Sequence, residues 1–176
     1  MSDLGSDRFT LVLGGARSGK SRHAEALISA RRPPWIYVAT AQALDAEMAA
    51  RIAVHRSRRE GGWLTVEVPR DLPAALRGAP PQAPVLIDCL TLWLANEMLA
   101  DADLDTAILD LEAALGAHQA PVVAVANEVG LGIVPDTALG RRFRDAAGSL
   151  NRRLAARADR VVFLVAGIAM TLKGAP

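Results

Sequence analysis

A single cysteine, Cys89, is all the thiol chemistry in this chain of 176 residues. That leaves no internal disulfide and no cysteine-built zinc cluster, and it suits a reducing compartment. Charge of one sign is missing too: 20 basic residues face 19 acidic ones, for a formal net charge of +1. No global field draws the chain to nucleic acid or to an anionic membrane, so any basic site has to be local. The longest apolar run, Val161 to Leu172, falls well short of the ~20 residues that a membrane helix needs. The segment Met1-Ser2-Asp3-Leu4-Gly5-Ser6-Asp7 is acidic and polar, where a secretory signal would be basic and then apolar. A cytoplasmic protein without a membrane span is expected. Aromatic residues are few, at 4%, so Ala, Leu and Val must supply the core. The length suffices for one well-buried core and is short for two, so a single domain over residues 1–176 is expected.

What is present is an alternation of strand and helix patterns. Strands are expected near 9–13, 34–39, 63–68, 84–88, 121–126, 160–165 and 168–172, and helices near 20–31, 44–59, 71–77, 89–100, 104–118 and 138–157. Val85-Leu86-Ile87, Val122-Val123-Ala124-Val125-Ala126 and Val161-Val162-Phe163-Leu164-Val165 are continuously apolar rather than alternating. Strands covered on both faces have that pattern, which implies a mostly parallel central sheet flanked by helices. Pro33-Pro34, Pro80-Pro81 and Pro121 stand just before strands, where a missing N–H does least harm. The stretch Arg77 to Pro84 is short enough to be a surface loop rather than a boundary between domains.

Between the first strand and the first helix lies Gly14-Gly15-Ala16-Arg17-Ser18-Gly19-Lys20-Ser21. It fits the phosphate-loop pattern G-x-x-x-x-G-K-[ST] in the strand-to-helix context that the pattern requires. Glycines let backbone N–H groups converge on phosphate oxygens, and the helix N-terminus adds partial positive charge. Lys20 would reach the β- and γ-phosphates, and the Ser21 hydroxyl would ligate Mg²⁺. Such a loop needs a carboxylate for its metal at the end of a nearby apolar strand, and Val85-Leu86-Ile87-Asp88 supplies one. Asp88 is also placed to cap the helix that follows, and the two roles are compatible.

A second basic feature follows in the expected helix 44–59. Met48, Ile52, His55 and Arg59 fall at helical spacing, Arg51 stands four residues before His55, and Arg56, Ser57, Arg58 and Arg59 follow directly. Taken alone, a histidine on a helix is a structural or solvated residue, and an arginine run is a solvated face. Beside a phosphate loop the arginines acquire a use, because guanidinium groups bind phosphate bidentately at any working pH. Positive neighbours would also keep the His55 imidazole neutral, as a nucleophile must be. No other histidine or cysteine lies at ligand spacing, so attack on phosphate is expected rather than zinc binding. His23 and His118 receive no role.

Five ordered segments carry a resemblance: Gly14 to Glu25; Tyr37-Val38-Ala39-Thr40-Ala41; Asp45 to Ile52 leading to His55; Asn127 to Pro135; and Phe143 to Gly148. From about residue 9 to 173 the chain closely resembles the bifunctional adenosylcobinamide kinase / adenosylcobinamide-phosphate guanylyltransferase family of the late cobalamin pathway. The resemblance implies a RecA-like P-loop fold and two reactions. ATP or GTP phosphorylates adenosylcobinamide; GTP then gives GMP to adenosylcobinamide phosphate through a GMP-histidine intermediate, releasing pyrophosphate. It places that histidine at His55 and further nucleotide contacts at Ala39, Thr40, Ala41, at Arg56 to Arg59, at Glu67 and at Asp88. It also implies a homotrimer. Some relatives have two adjacent histidines where this chain has Val54-His55. Others have Glu at the position of Asp88.

Two other readings stay open on the residues alone. One is a P-loop small-molecule kinase without guanylyl transfer, with His55 structural. The other is a nucleotide-switched RecA-like module, against which the near-neutral charge argues where a nucleic-acid partner is concerned. A flat corrin ligand would want an apolar wall, for which Leu131-Gly132-Ile133-Val134-Pro135 and Trp93 are candidates.

Overall fold

The computed structural model describes residues 7–43, 46, 50, 53, 59 and 61–175. Its elements in chain order are β1 (Phe9–Gly14), α1 (Lys20–Ser29), β2 (Trp35–Ala39), β3 (Trp63–Glu67), α2 (Leu72–Gly78), β4 (Val85–Asp88), α3 (Leu90–Leu99), α4 (Leu104–Ala117), β5 (Val122–Asn127), α5 (Ala138–Arg157), β6 (Arg160–Val165) and β7 (Ile168–Lys173). Of the helix expected over 44–59, the described residues Ala46, Ala50 and Ala53 are helical. β4 begins at Val85 and β5 at Val122, each one residue past a proline. A proline has no N–H for the ladder, yet the Pro84 and Pro121 carbonyls accept from Ile36 and Val85 at 2.9 and 3.0 Å.

The strands form one seven-stranded sheet in the order β3-β2-β4-β5-β1-β6-β7. All neighbours pair in parallel except β6 and β7, which are antiparallel. This is the mostly parallel, helix-flanked sheet that the apolar runs imply. Alternation along each strand divides the core in two. Leu11, Leu13, Val85, Ile87, Val122, Ala124 and Ala126 face the side packed by Leu72 and Leu76 of α2, Leu90, Trp93 and Leu94 of α3, Leu111 of α4, and Leu150 and Leu154 of α5. Val12, Tyr37, Leu86, Val123, Val125, Val162 and Leu164 face the side packed by Ala24 and Ile28 of α1. Each fully buried Leu, Ile or Val contributes ~1.5–3 kcal/mol relative to an exposed one, so the two layers hold the sheet from both sides.

Capping fixes where the helices start. Asp103 accepts from the N–H groups of Asp105 and Thr106 ahead of α4, and the Thr137 side chain accepts from Gly140 N–H ahead of α5. α4 and α5 are pinned together by a buried carboxylate: Glu112 accepts from Arg153 Nε at 2.8 Å and lies 3.1 Å from Arg157. The Arg153 hydrogen bond, foremost, holds the Glu112 carboxyl below its ordinary pKa.

Candidate functional site

The C-terminal edge of the parallel strands carries the site. β1 ends at Gly14, and a Cβ there would fall 2.6 Å from Ser18 Oγ and 2.7 Å from the Leu164 carbonyl oxygen, so the turn into the loop closes only around glycine. Gly19 takes φ 93° and opens α1 at Lys20. That left-handed step turns the chain from the loop into the helix. The loop is also tied to the far hairpin, where Gly167 N–H donates to Ser18 O at 3.1 Å. Lys20 and Ser21 thus stand at the head of α1, where the helix dipole favours an anion. Lys20 is buried, and its Nζ donates to Gly15 O at 2.9 Å, arching over the loop to which it belongs.

Asp88 ends β4, and its side chain continues the α1 face set by Leu86. The Ser21 hydroxyl donates to Asp88 Oδ1 at 3.4 Å, and the Tyr37 hydroxyl to Asp88 Oδ2 at 2.8 Å. Burial and then the Asp88 charge push the Tyr37 pKa far above its ordinary value, so the phenol stays a donor. The N-cap of α3 is Cys89, so the helix-cap reading of Asp88 does not hold. Burial, with the Asp88 charge second, pushes the Cys89 thiol up to about 11, which leaves it un-ionised and inert. The Ser21 hydroxyl and Asp88 carboxylate are hard oxygen donors facing each other at the loop, a donor set that fits Mg²⁺.

The remaining expected positions line the same edge. Ala39 of β2 is in register with Glu67 of β3 on one side and Asp88 on the other. Four inter-strand spacings separate β3 from β1, roughly 19 Å at ~4.8 Å each. Thr40 is fully buried: its hydroxyl donates to Cys89 O at 2.7 Å and accepts from Cys89 N–H at 2.8 Å. Asn96 donates to both Thr40 O and Pro69 O, at 3.0 and 2.8 Å, locking the ends of β2 and β3 together. Gln42, Glu67, Arg70 and Asp71 line an open depression of about 560 Å³ beside them. Ala41 follows directly, and Ala16 and Arg17 form the exposed turn of the phosphate loop.

His55, Arg56, Ser57 and Arg58 lie outside the described residues. Arg59 is described, and its guanidinium carbon lies 3.5 Å from the centroid of the Tyr37 ring. Four residues past His55, the chain is therefore moored to the tyrosine that holds Asp88. His23 is half-buried in α1, and burial, then the Arg160 charge, lowers its pKa. His118 is buried just past α4, its Nε2 3.0 Å from Ala83 O. Trp93 is 1% exposed and donates to Arg70 O, a core residue. Leu131, Ile133 and Val134 are 78%, 97% and 59% exposed in the loop after β5.

Sequence reasoning missed Tyr37 as a site residue, because within an apolar strand it looks like core. It also missed Asn96, which ties the ends of β2 and β3.

Comparison with known proteins bears on this edge. The family described as cobinamide kinase / cobinamide phosphate guanyltransferase matches residues 10–172. The chain is 49% identical over 169 residues to the bifunctional adenosylcobalamin biosynthesis protein CobP of Pseudomonas aeruginosa, covering 94% of this chain and 98% of that protein. It is 45% identical over 180 residues to the bifunctional adenosylcobalamin biosynthesis protein CobU of Salmonella typhimurium, covering 93% and 98%. A solved structure from Pyrococcus horikoshii OT3 matches with a TM-score of 0.57 at 8% identity, over 96% of this chain and 87% of that one, a likeness of fold alone.

Proposed function

The chain belongs to the cobinamide kinase / cobinamide phosphate guanyltransferase family, and from that premise we propose a bifunctional enzyme of cobalamin biosynthesis. It phosphorylates adenosylcobinamide with ATP or GTP. It then transfers GMP from GTP to adenosylcobinamide phosphate, giving adenosylcobinamide-GDP and pyrophosphate. What carries the proposal is the meeting of Ser21 and Asp88 at the mouth of the phosphate loop, in a chain of this family.

In the kinase step the substrate hydroxyl attacks the γ-phosphorus and the nucleoside diphosphate leaves. This asks the protein for position and charge neutralisation, not for a nucleophile. The N–H groups of Gly14 to Ser21, the α1 dipole and Lys20 supply both. Ser21 and Asp88 would hold Mg²⁺, which offsets charge on the phosphates. In the transfer step a neutral His55 nitrogen attacks the α-phosphorus and pyrophosphate departs toward the loop and Lys20. The resulting phosphoramidate passes GMP to the substrate phosphate. Arg56, Ser57, Arg58 and Arg59, with Ala39, Thr40, Ala41 and Glu67, complete the nucleotide contacts. The stacking of Arg59 on Tyr37 supports this, since the Tyr37 hydroxyl donates to Asp88. The exposed Leu131, Ile133 and Val134 form the apolar wall for the corrin.

The protein acts as one domain over residues 1–176, in the cytoplasm, as a homotrimer. No helix among the described residues is long and apolar enough to cross a membrane. Incubation with adenosylcobinamide and GTP, with products resolved by mass, tests the assignment: both the phosphate and the GDP derivative are expected. Formation of the phosphate alone would leave a kinase; formation of neither would overturn the proposal.

A further inference from the structure

Arg160 opens β6, and its register partner on β1 is Thr10. Along β6, Val161 faces the layer of α2 to α5, whereas Val162 and Leu164 face α1. Alternation therefore turns the Arg160 side chain to the α1 face, and the same count back from Leu11 and Val12 turns Thr10 there. Both are buried, Arg160 to 8% exposure and Thr10 to 5%. They lie at the end of the sheet away from the phosphate loop. Leu164, the partner of Gly14, is four residues further along β6, roughly 13 Å at ~3.3 Å per residue.

An arginine this deeply placed is ordinarily paired, because a buried charge is held by a counter-charge and by hydrogen bonds. Arg160 has neither among the described residues, and its Nε is sealed from solvent without a partner. The adjacent carboxylate is committed elsewhere: Asp159 Oδ2 accepts from the N–H groups of Arg8 and Phe9, each at 2.9 Å. Gly174 closes the strand side, since a Cβ there would fall 2.7 Å from Asp159 O and 3.2 Å from Arg160 Cα. On α1, His23 Nε2 is likewise buried without a partner. The two groups are neighbours, because the Arg160 charge is, after burial, the second cause that lowers the His23 pKa. A neutral imidazole protonated on Nε2 is a donor, so the pair offers two unused donors, one of them on a permanent cation. A water molecule between them would accept a hydrogen bond and leave the charge uncompensated. An anion supplies both the acceptor oxygens and the charge.

We propose that Arg160 and His23 hold a small free oxyanion of phosphate size, in a site separate from the nucleotide site. Its oxygens accept from Arg160 Nε and His23 Nε2. The anion bridges β6 to α1, the helix whose first turn carries Lys20 and Ser21, and so fastens that helix to the sheet.

The test uses the full chain and inorganic phosphate as the probe, with Arg160→Met and Arg160→Lys beside wild type. In dilute phosphate-free buffer Arg160→Met should melt no lower than wild type, because it removes an unpaired buried charge and keeps the length of the side chain. A variant that melts below wild type there would mean that Arg160 is already satisfied, and overturns the proposal. Phosphate at ten times its dissociation constant should then raise the melting point of wild type by about 3–6 °C more than that of Arg160→Met. Exclusion of phosphate from the surface, or its binding at the phosphate loop, lifts both proteins alike, so an equal rise also overturns it. Arg160→Lys keeps the charge and loses the Nε donor. By calorimetry it should bind phosphate about 10- to 100-fold more weakly than wild type, the scale of one charged hydrogen bond, and equal binding overturns the role of Nε. GDP is titrated in parallel: equal uptake by wild type and Arg160→Met supports a free anion, whereas a GDP equivalent lost with Arg160 would give the site to a nucleotide and overturn that assignment.

Discussion

The guanidinium of Arg59 stacks on the ring of Tyr37, 3.5 Å from its centroid. Because the Tyr37 hydroxyl donates to Asp88 at 2.8 Å, one tyrosine joins Arg59 to the carboxylate beside the phosphate loop. Tyr37→Phe keeps the ring and the stacking and removes only the hydroxyl. A hydrogen bond to a charged group is worth ~1.5–3 kcal/mol. Nucleotide turnover is therefore expected to fall by about 10- to 100-fold and to need more Mg²⁺, as a Mg²⁺ titration of rate would detect. Unaltered rate and Mg²⁺ dependence would make the hydroxyl a passive occupant of the core.

Asp88→Asn retains the shape of the carboxylate and loses its charge. Activity should drop at low Mg²⁺ and recover in part as Mg²⁺ is raised, since a weaker ligand set is filled by mass action. Direct measurement of Mn²⁺ binding in the nucleotide complex, with Mn²⁺ as a spectroscopic substitute, should give a weaker site in the variant. Equal Mn²⁺ affinity in the two proteins would remove Asp88 from the metal set.

His55→Ala should abolish covalent GMP attachment and guanylyl transfer while leaving adenosylcobinamide phosphorylation measurable, because only the transfer step needs a protein nucleophile. Label from α-³²P-GTP should appear on wild type, be lost in acid and survive base. Undiminished labelling of the variant would move the nucleophile elsewhere. Loss of both reactions in a folded variant would make His55 a residue that positions the triphosphate.

Glu112 links α4 to α5 through Arg153 and Arg157, and its pKa is lowered in the folded protein. A lowered pKa means that the stabilisation is fully present above the unfolded value, about 4.3, and is lost as pH falls through the folded value. Glu112→Gln should melt below wild type at neutral pH, by roughly 2–4 °C for each kcal/mol removed. The gap should close as the pH falls through the lowered folded value of Glu112. A gap independent of pH would assign the effect to packing rather than to charge.

Much of this protein is local in its sequence. Continuous apolar runs placed β4, β5 and β6 within a residue or so, because a strand covered on both faces is apolar along most of its length. The phosphate loop was legible for the same local reason: Gly14 and Gly19 answer to contacts and backbone angles within a few residues of Lys20. Asp88 could be named as a candidate, but its two uses could not be separated until Ser21 and Tyr37 were seen to bind it and Cys89 to cap α3. The partners of Tyr37 and Asn96 were decided by the tertiary structure alone. Tyr37 reaches Asp88 51 residues away, and Asn96 reaches Thr40 and Pro69 at 56 and 27 residues, contacts that exist only once the sheet order sets β3, β2 and β4 side by side. Strand order arises from how helices cover the two faces of a sheet. No periodicity within a single segment encodes that long-range choice.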